Sequence, residues 1–189
     1  MKIVYLTSGP RGSGKSTYVE LVKSTNPEVL VLDRDEIFLK EYGTVGFDPY
    51  SGMGDVAHDF FNQQIREVVG SAGENAKIIF DVWNGYEKTR QNYVQLLRDL
   101  GVEVIVCWYF ITPLPQSLKW ARQKPGYGDI SQDGMAWDYN LYHREAVDIN
   151  YPDDEFYFID NTVYCYDAQF DIIRRINPLQ LTLPGVEMI

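Results

Sequence analysis

A chain of 189 residues with 45% hydrophobic and 23% charged residues carries enough apolar material for one substantial core, so a single domain over residues 1–189 is expected and a disordered chain is excluded. The formal net charge of −10 argues against a protein that grips long nucleic acid through a broad basic face, although a small basic cleft stays compatible with it. No apolar run is long enough for a membrane span, and Cys107 and Cys165 form no C-x-x-C pair, which points to a cytoplasmic protein whose cysteines serve packing.

The chain opens with an apolar strand over Lys2–Thr7. Directly after it stands Gly9-Pro10-Arg11-Gly12-Ser13-Gly14-Lys15-Ser16-Thr17, which fits G-x-x-x-x-G-K-[ST] at every fixed position. A helix over Lys15–Ser24 follows, with Tyr18, Leu21 and Val22 on its apolar side. The residue types are those a phosphate cradle needs. Glycines let successive N–H groups turn inward, the helix dipole points its positive end at the same spot, and Lys15 adds a point charge. Gly9, Gly12, Ser13, Gly14, Lys15, Ser16 and Thr17 are therefore read as the ATP-binding loop, with the Ser16 hydroxyl a ligand for Mg²⁺.

A second strand, Val29–Leu32, runs into Asp33-Arg34-Asp35-Glu36 and a helix over Asp35–Glu41. Asp35 has two readings at this point, a general base beside the phosphate loop or a helix N-cap. Glycines and Pro49 between Gly43 and Gly54 mark a loop, and a helix over Val56–Val69 succeeds it. The third strand, Lys77–Phe80, ends in Asp81-Val82-Trp83-Asn84. Asp81 lies at the carboxyl end of its strand, where it can organise Mg²⁺ or serve as a turn residue. The valine after it departs from the glutamate expected of a motor-type ATPase, and no N/T-K-x-D guanine reader appears.

Tyr93, Leu96, Leu97 and Leu100 give the helix Tyr86–Leu100 one apolar stripe. A near-continuous apolar strand, Glu103–Phe110, precedes two helices, Leu114–Gln123 and Met135–Val147, joined by a Gly- and Pro-containing turn over Lys124–Gly134; together they suggest a small lid over Pro113–Ala146. Met135, Tyr139, Tyr142 and Ala146 share a helical face and read as core, and His58 and His143 as structural residues. A fifth strand, Glu155–Ile159, runs into Asp160-Asn161-Thr162, followed by a helix, Asp167–Ile176, and an extended tail, 177–189. Strands alternating with helices give an α/β class, a three-layer α/β/α sandwich around a five-stranded parallel sheet.

The combination of Gly12-Ser13-Gly14-Lys15-Ser16-Thr17, then Arg34-Asp35 after the second strand, then Asp81-Val82-Trp83-Asn84 after the third, resembles the P-loop kinases of the phage-type polynucleotide 5′-hydroxyl kinase and zeta-toxin group. The resemblance spans about residues 1–176. It implies ATP and Mg²⁺ as cofactors, Asp35 as general base, Lys15 and Ser16 as phosphate and metal residues, and a hydroxyl acceptor, foremost a nucleic-acid 5′ end. Two departures touch the acceptor side. Phe38 stands where the group usually has an arginine, and Lys119-Trp120-Ala121-Arg122-Gln123-Lys124 replaces the usual R-N-x-x-R lid. Arg122, whose fork can bridge two phosphoryl oxygens, is the choice for the lid cation. Two alternatives stay open: a kinase acting on a nucleoside, sugar or nucleotide sugar, and a non-catalytic ATP-binding regulator.

Overall fold

A computed structural model describes residues 2–48, 50–123, 132–144 and 155–160. In chain order the elements are β1 (Ile3–Ser8), α1 (Lys15–Thr25), β2 (Leu30–Asp33), α2 (Arg34–Tyr42), α3 (Met53–Ser71), β3 (Lys77–Asp81), α4 (Glu87–Asp99), β4 (Val104–Ile111), α5 (Leu114–Ala121), α6 (Gln132–Arg144) and β5 (Glu155–Asp160). The five strands form one sheet in the order β2-β3-β1-β4-β5, every neighbouring pair parallel. This is the expected α/β architecture with β1 at the centre.

The period of two along the strands decides which layer each side chain joins. Val4 and Leu6 of β1 face the same way as Ile78 and Phe80 of β3, and pack under Phe38 of α2, Phe61 and Ile65 of α3, and Tyr93 and Leu97 of α4. Their neighbours Ile3, Tyr5 and Ile79 face the opposite layer, with Tyr18 and Val19 of α1 and with Trp108 and Phe110 of β4. All six residues of β1 are buried, as expected for a strand covered on both faces. Phe61 stacks on Phe80 at 5.6 Å between ring centroids, and fully burying a side chain of this size contributes about 1.5–3 kcal/mol.

Because the strands are parallel, their carboxyl ends lie along one edge. The connection leaving β1 runs toward β2, whereas those leaving its neighbours β3 and β4 run the other way. The crevice at such a reversal is where open α/β sheets collect ligands. Ser8, Asp33 and Asp81 end β1, β2 and β3 along this edge.

The expected strands and helices all appear where they can be compared, with ends shifted by a few residues; α3, for example, begins at Met53 rather than Val56. The expected helix Asp167–Ile176, the tail 177–189, Lys124, Cys165, and Asn161-Thr162 lie outside the described residues. Cys107 is buried, in line with a packing role. Among the described residues no helix is long and apolar enough to cross a membrane.

Candidate active site

The loop between β1 and α1 has the backbone its glycines predict. Gly9, Gly12 and Gly14 all adopt positive φ, at 143°, 72° and 97°. Gly12 has the tightest surroundings: a Cβ there would stand 2.2 Å from the Ser117 carbonyl oxygen of α5. The loop is also tied down by Thr112, just before α5, whose Oγ1 donates to the Ser13 carbonyl at 2.9 Å. The loop is thus pressed against the start of α5.

α1 begins without a side-chain cap and without an acidic residue in its first turn. α2, by contrast, carries a carboxylate cap and two acidic residues at the same place. A helix end kept free of carboxylates retains its positive field for an anionic ligand. Lys15 lies beside it, its Nζ donating to the carbonyls of Gly9 at 2.6 Å and Pro10 at 3.0 Å.

The end of β3 is fastened to the end of β1. Asp81, buried at 6% exposure, accepts from Thr7 Oγ1 at 2.6 Å. Asn84 accepts from Ser8 Oγ at 2.9 Å and donates to the Thr7 carbonyl at 2.8 Å, while the buried Arg90 guanidinium donates to the Asn84 carbonyl at 2.8 Å. α6 closes this web from above. Its Tyr142 hydroxyl accepts the Asn84 N–H at 3.0 Å, and burial, the larger influence, pushes that phenol's pKa up. One turn earlier, Asp138 accepts from the Arg11 amide of the loop at 2.7 Å and from Trp83 Nε1 at 2.7 Å. A buried carboxylate with two donors fixes its neighbours, so Asp138 joins α6, the β1–α1 loop and the β3–α4 turn.

At the end of β2, Asp33 pairs in register with Asp81. Its Oδ1 accepts from the amides of Asp35 at 2.8 Å and Glu36 at 3.0 Å. The N-cap of α2 is therefore Asp33, which corrects the capping reading of Asp35. Asp35 itself receives Arg34 Nη2 at 2.6 Å and Nε at 3.0 Å, both on Oδ1.

A family model described as an AAA domain matches residues 4–140. This chain belongs to the AAA domain family. Solved structures share the fold at low sequence identity. A chain of the Pnkp1/Rnl/Hen1 RNA repair complex is 17% identical over 79% of this chain, with a TM-score of 0.63, and this chain spans 50% of its length. A candidate kinase from Chloroflexus aurantiacus is 12% identical over 92% of this chain and 94% of its own, with a TM-score of 0.62. A sugar kinase from Janibacter sp. HTCC2649 is 14% identical over 100% of this chain and 99% of its own, with a TM-score of 0.53.

Other sequence-predicted residues of this AAA domain divide into those at the edge and those away from it. Arg122 ends α5, its amide donating to the Leu118 carbonyl at 3.3 Å, and its side chain is exposed. It is carried by the helix that presses on Gly12. Phe38 is 1% exposed and packs edge-on against Tyr42, Phe47, His58 and Phe61. The departure from arginine at this position thus fills the core. Partial desolvation, and then the charge of Arg34, lower the His58 pKa, in keeping with a structural histidine. Met135 and Tyr142 are buried as core. Among the described residues no three His, Cys, Asp or Glu side chains gather into a metal cage.

Sequence reasoning missed Asp33, Asp138 and Tyr142 as site-forming residues. Asp33 carries a testable electrostatic signature. Burial, followed by the neighbouring Asp81 charge, raises its pKa from 3.8 to about 6, against the two backbone N–H donors that favour the carboxylate. With the folded pKa above the unfolded one, the folded state binds more protons between the two values. Stability is then lost as pH rises from about 4 to about 6. Asn caps a helix as well as Asp does, so in chelator Asp33→Asn is expected to be more stable above pH 6 by roughly 1–3 kcal/mol, and level with the parent below pH 4. Unfolding midpoints followed across pH would reveal this; two curves that stay parallel throughout would refute it.

Proposed function

We propose that this AAA domain is an ATP- and Mg²⁺-dependent kinase whose acceptor is a hydroxyl, foremost the 5′-hydroxyl of a polynucleotide. The observation that carries the reading is the pairing of a glycine-built, carboxylate-free helix end beside Lys15 with the acidic ends of β2 and β3 along the same sheet edge. The first suits a triphosphate and the second suits the metal and the acceptor.

In this reading the backbone amides from Gly12 to Thr17 and the Lys15 ammonium hold the phosphates, and Gly9 lets the loop leave β1. Ser16 and Asp81 offer the hard oxygen donors that Mg²⁺ prefers, and one or two such ligands suffice because this ion keeps several waters and binds substrate phosphates. When bound, Mg²⁺ neutralises charge on the phosphoryl oxygens. Asp35 takes the proton of the acceptor hydroxyl as its oxygen attacks the γ-phosphorus and the bond to the ADP oxygen breaks. Arg122 closes over the transferred group from α5, a step that also keeps water from competing as acceptor.

Support for the polynucleotide acceptor comes from the motif resemblance and from the fold likeness to a chain of an RNA repair complex. A small-molecule acceptor is the second reading, favoured by the burial of Phe38, which leaves no arginine at that place for an acceptor phosphate, and by the likeness to a sugar kinase. The deciding experiment incubates the protein with γ-labelled ATP and Mg²⁺ against 5′-hydroxyl oligonucleotides, nucleosides, sugars and nucleotide sugars. Label on the oligonucleotides is the expected result. Label only on a sugar or nucleoside would move the assignment to the second reading, and ATP binding without transfer to any hydroxyl would make the protein a nucleotide-binding regulator.

A further inference from the structure

Four aromatic rings meet where the β3–α4 turn passes α6. Trp83 is held in place: its indole N–H donates to Asp138 at 2.7 Å, and it meets Tyr86 edge-on at 5.5 Å and Tyr142 at 6.5 Å. Gly85 shows how closely the turn is moulded to this ring. A Cβ there would lie 2.8 Å from Trp83 Cζ2 and 2.8 Å from Leu141 Cδ2. Upon this fixed base Tyr86 and Trp137 stand 6.5 Å apart with their planes at 71°. They are nonetheless 42% and 51% exposed.

Their place in the fold gives them a use. Trp137 adjoins Asp138, whose other oxygen accepts from the Arg11 amide of the phosphate loop at 2.7 Å. The rings therefore stand within a few residues of the loop, above the end of β3, which neighbours the β2 end that leads into Asp35. With Asp35 as the base proposed above, an acceptor hydroxyl approaches along this edge. A net charge of −10 argues against grip through a broad basic face, which gives a further source of affinity for a nucleic-acid end particular value. Aromatic side chains provide one, since every base has a π-face and stacking tolerates any sequence.

We propose that Tyr86 and Trp137 form a stacking platform for the terminal base of the acceptor strand. The proposal rests on the polynucleotide reading above and names the part of the acceptor that is recognised. The platform takes the base, and the hydroxyl of the attached sugar faces the γ-phosphate.

The test compares hexanucleotides ending in a normal 5′ nucleotide or in an abasic one, for wild type, Trp137→Ala, Trp137→Phe and Tyr86→Ala, using two readouts. One is direct binding, followed by the fluorescence anisotropy of a label on the 3′ end of the oligonucleotide. The other is transfer from γ-labelled ATP. Expected for Trp137→Ala is a roughly 5- to 100-fold rise in Kd and KM for the base-bearing end, with kcat within a few-fold of wild type. Trp137→Phe should keep most of the affinity, and the abasic end should bind wild type as weakly as Trp137→Ala binds the normal one. An unchanged KM in Trp137→Ala, or equal weakening toward both ends, overturns the platform while leaving the kinase reading intact. Base-dependent binding that Trp137→Ala weakens and Trp137→Phe retains, without any transfer to oligonucleotide, sustains the platform and overturns the acceptor assignment. Equal binding of the base-bearing and abasic ends by wild type overturns the platform outright.

Discussion

Replacing Asp35 with asparagine is expected to lower single-turnover phosphoryl transfer about 10²- to 10⁴-fold, the usual weight of a general base, with ATP affinity close to that of the parent. The capping of α2 is done by Asp33, so Asp35 can lose its charge without uncapping the helix. Its own side chain is 38% exposed, whereas that of its partner Arg34 is 14% exposed, so the change removes the counter-charge of a largely buried guanidinium and costs some stability. An asparagine oxygen can still accept from Arg34, which reaches Asp35 Oδ1 at 2.6 Å. What it cannot do is take a proton from an attacking hydroxyl. Measured with γ-labelled ATP and an excess of enzyme, a rate within a few-fold of the parent would remove Asp35 from the mechanism. Asp33→Asn provides the internal comparison, since it changes the other carboxylate of the same turn and is predicted to act on stability.

Much of this architecture could be read from sequence because its signals are local. The phosphate loop announces itself within nine residues, where the glycines, the lysine and the helix that follows all act on one another. Strand positions were legible for a related reason: a parallel strand buried on both faces must be a short apolar run, and β1 is buried at every residue. The sheet edge followed from the order of elements. From sequence only Asp35 is weighed as the cap of α2, whereas Asp33 fills that place, since the backbone path alone decides which amides each carboxylate meets. Asn84 stood in the motif after β3, but its partners on β1 and α6, and the role of Asp138, left no trace in the sequence. Asp138 lies 127 positions from the Arg11 amide it holds, and no short-range pattern encodes such a pair. Phe38 was read as a departure on the acceptor side, yet it is a core residue, because the ring finds Tyr42, Phe47 and Phe61 around it.

The other large effect expected is that of Gly12→Ala, which should weaken ATP binding by at least about 10²-fold and also lower stability. Two costs combine at this position. A residue with a side chain at φ of 72° bears the left-handed penalty of about 1–2 kcal/mol. Its Cβ would then stand 2.2 Å from the Ser117 carbonyl oxygen and 3.0 Å from the Ser117 carbonyl carbon, both of them main-chain atoms of α5 that no rotamer change can move aside. Either the loop recoils from α5 or α5 lifts from the loop. Both responses scatter amides that must converge on one phosphate, and preorganised donors lose most of their worth when displaced. Gly43 separates the two costs. It has a φ of 70° and nothing within 4 Å of a built Cβ, so Gly43→Ala should show the backbone penalty alone, with ATP affinity unchanged. Calorimetric titration of ATP alongside thermal unfolding of both variants tests the contrast. If Gly12→Ala binds ATP as Gly43→Ala does, the contact between α5 and the phosphate loop is too yielding to shape the cradle, and the lid has to be regarded as independent of it.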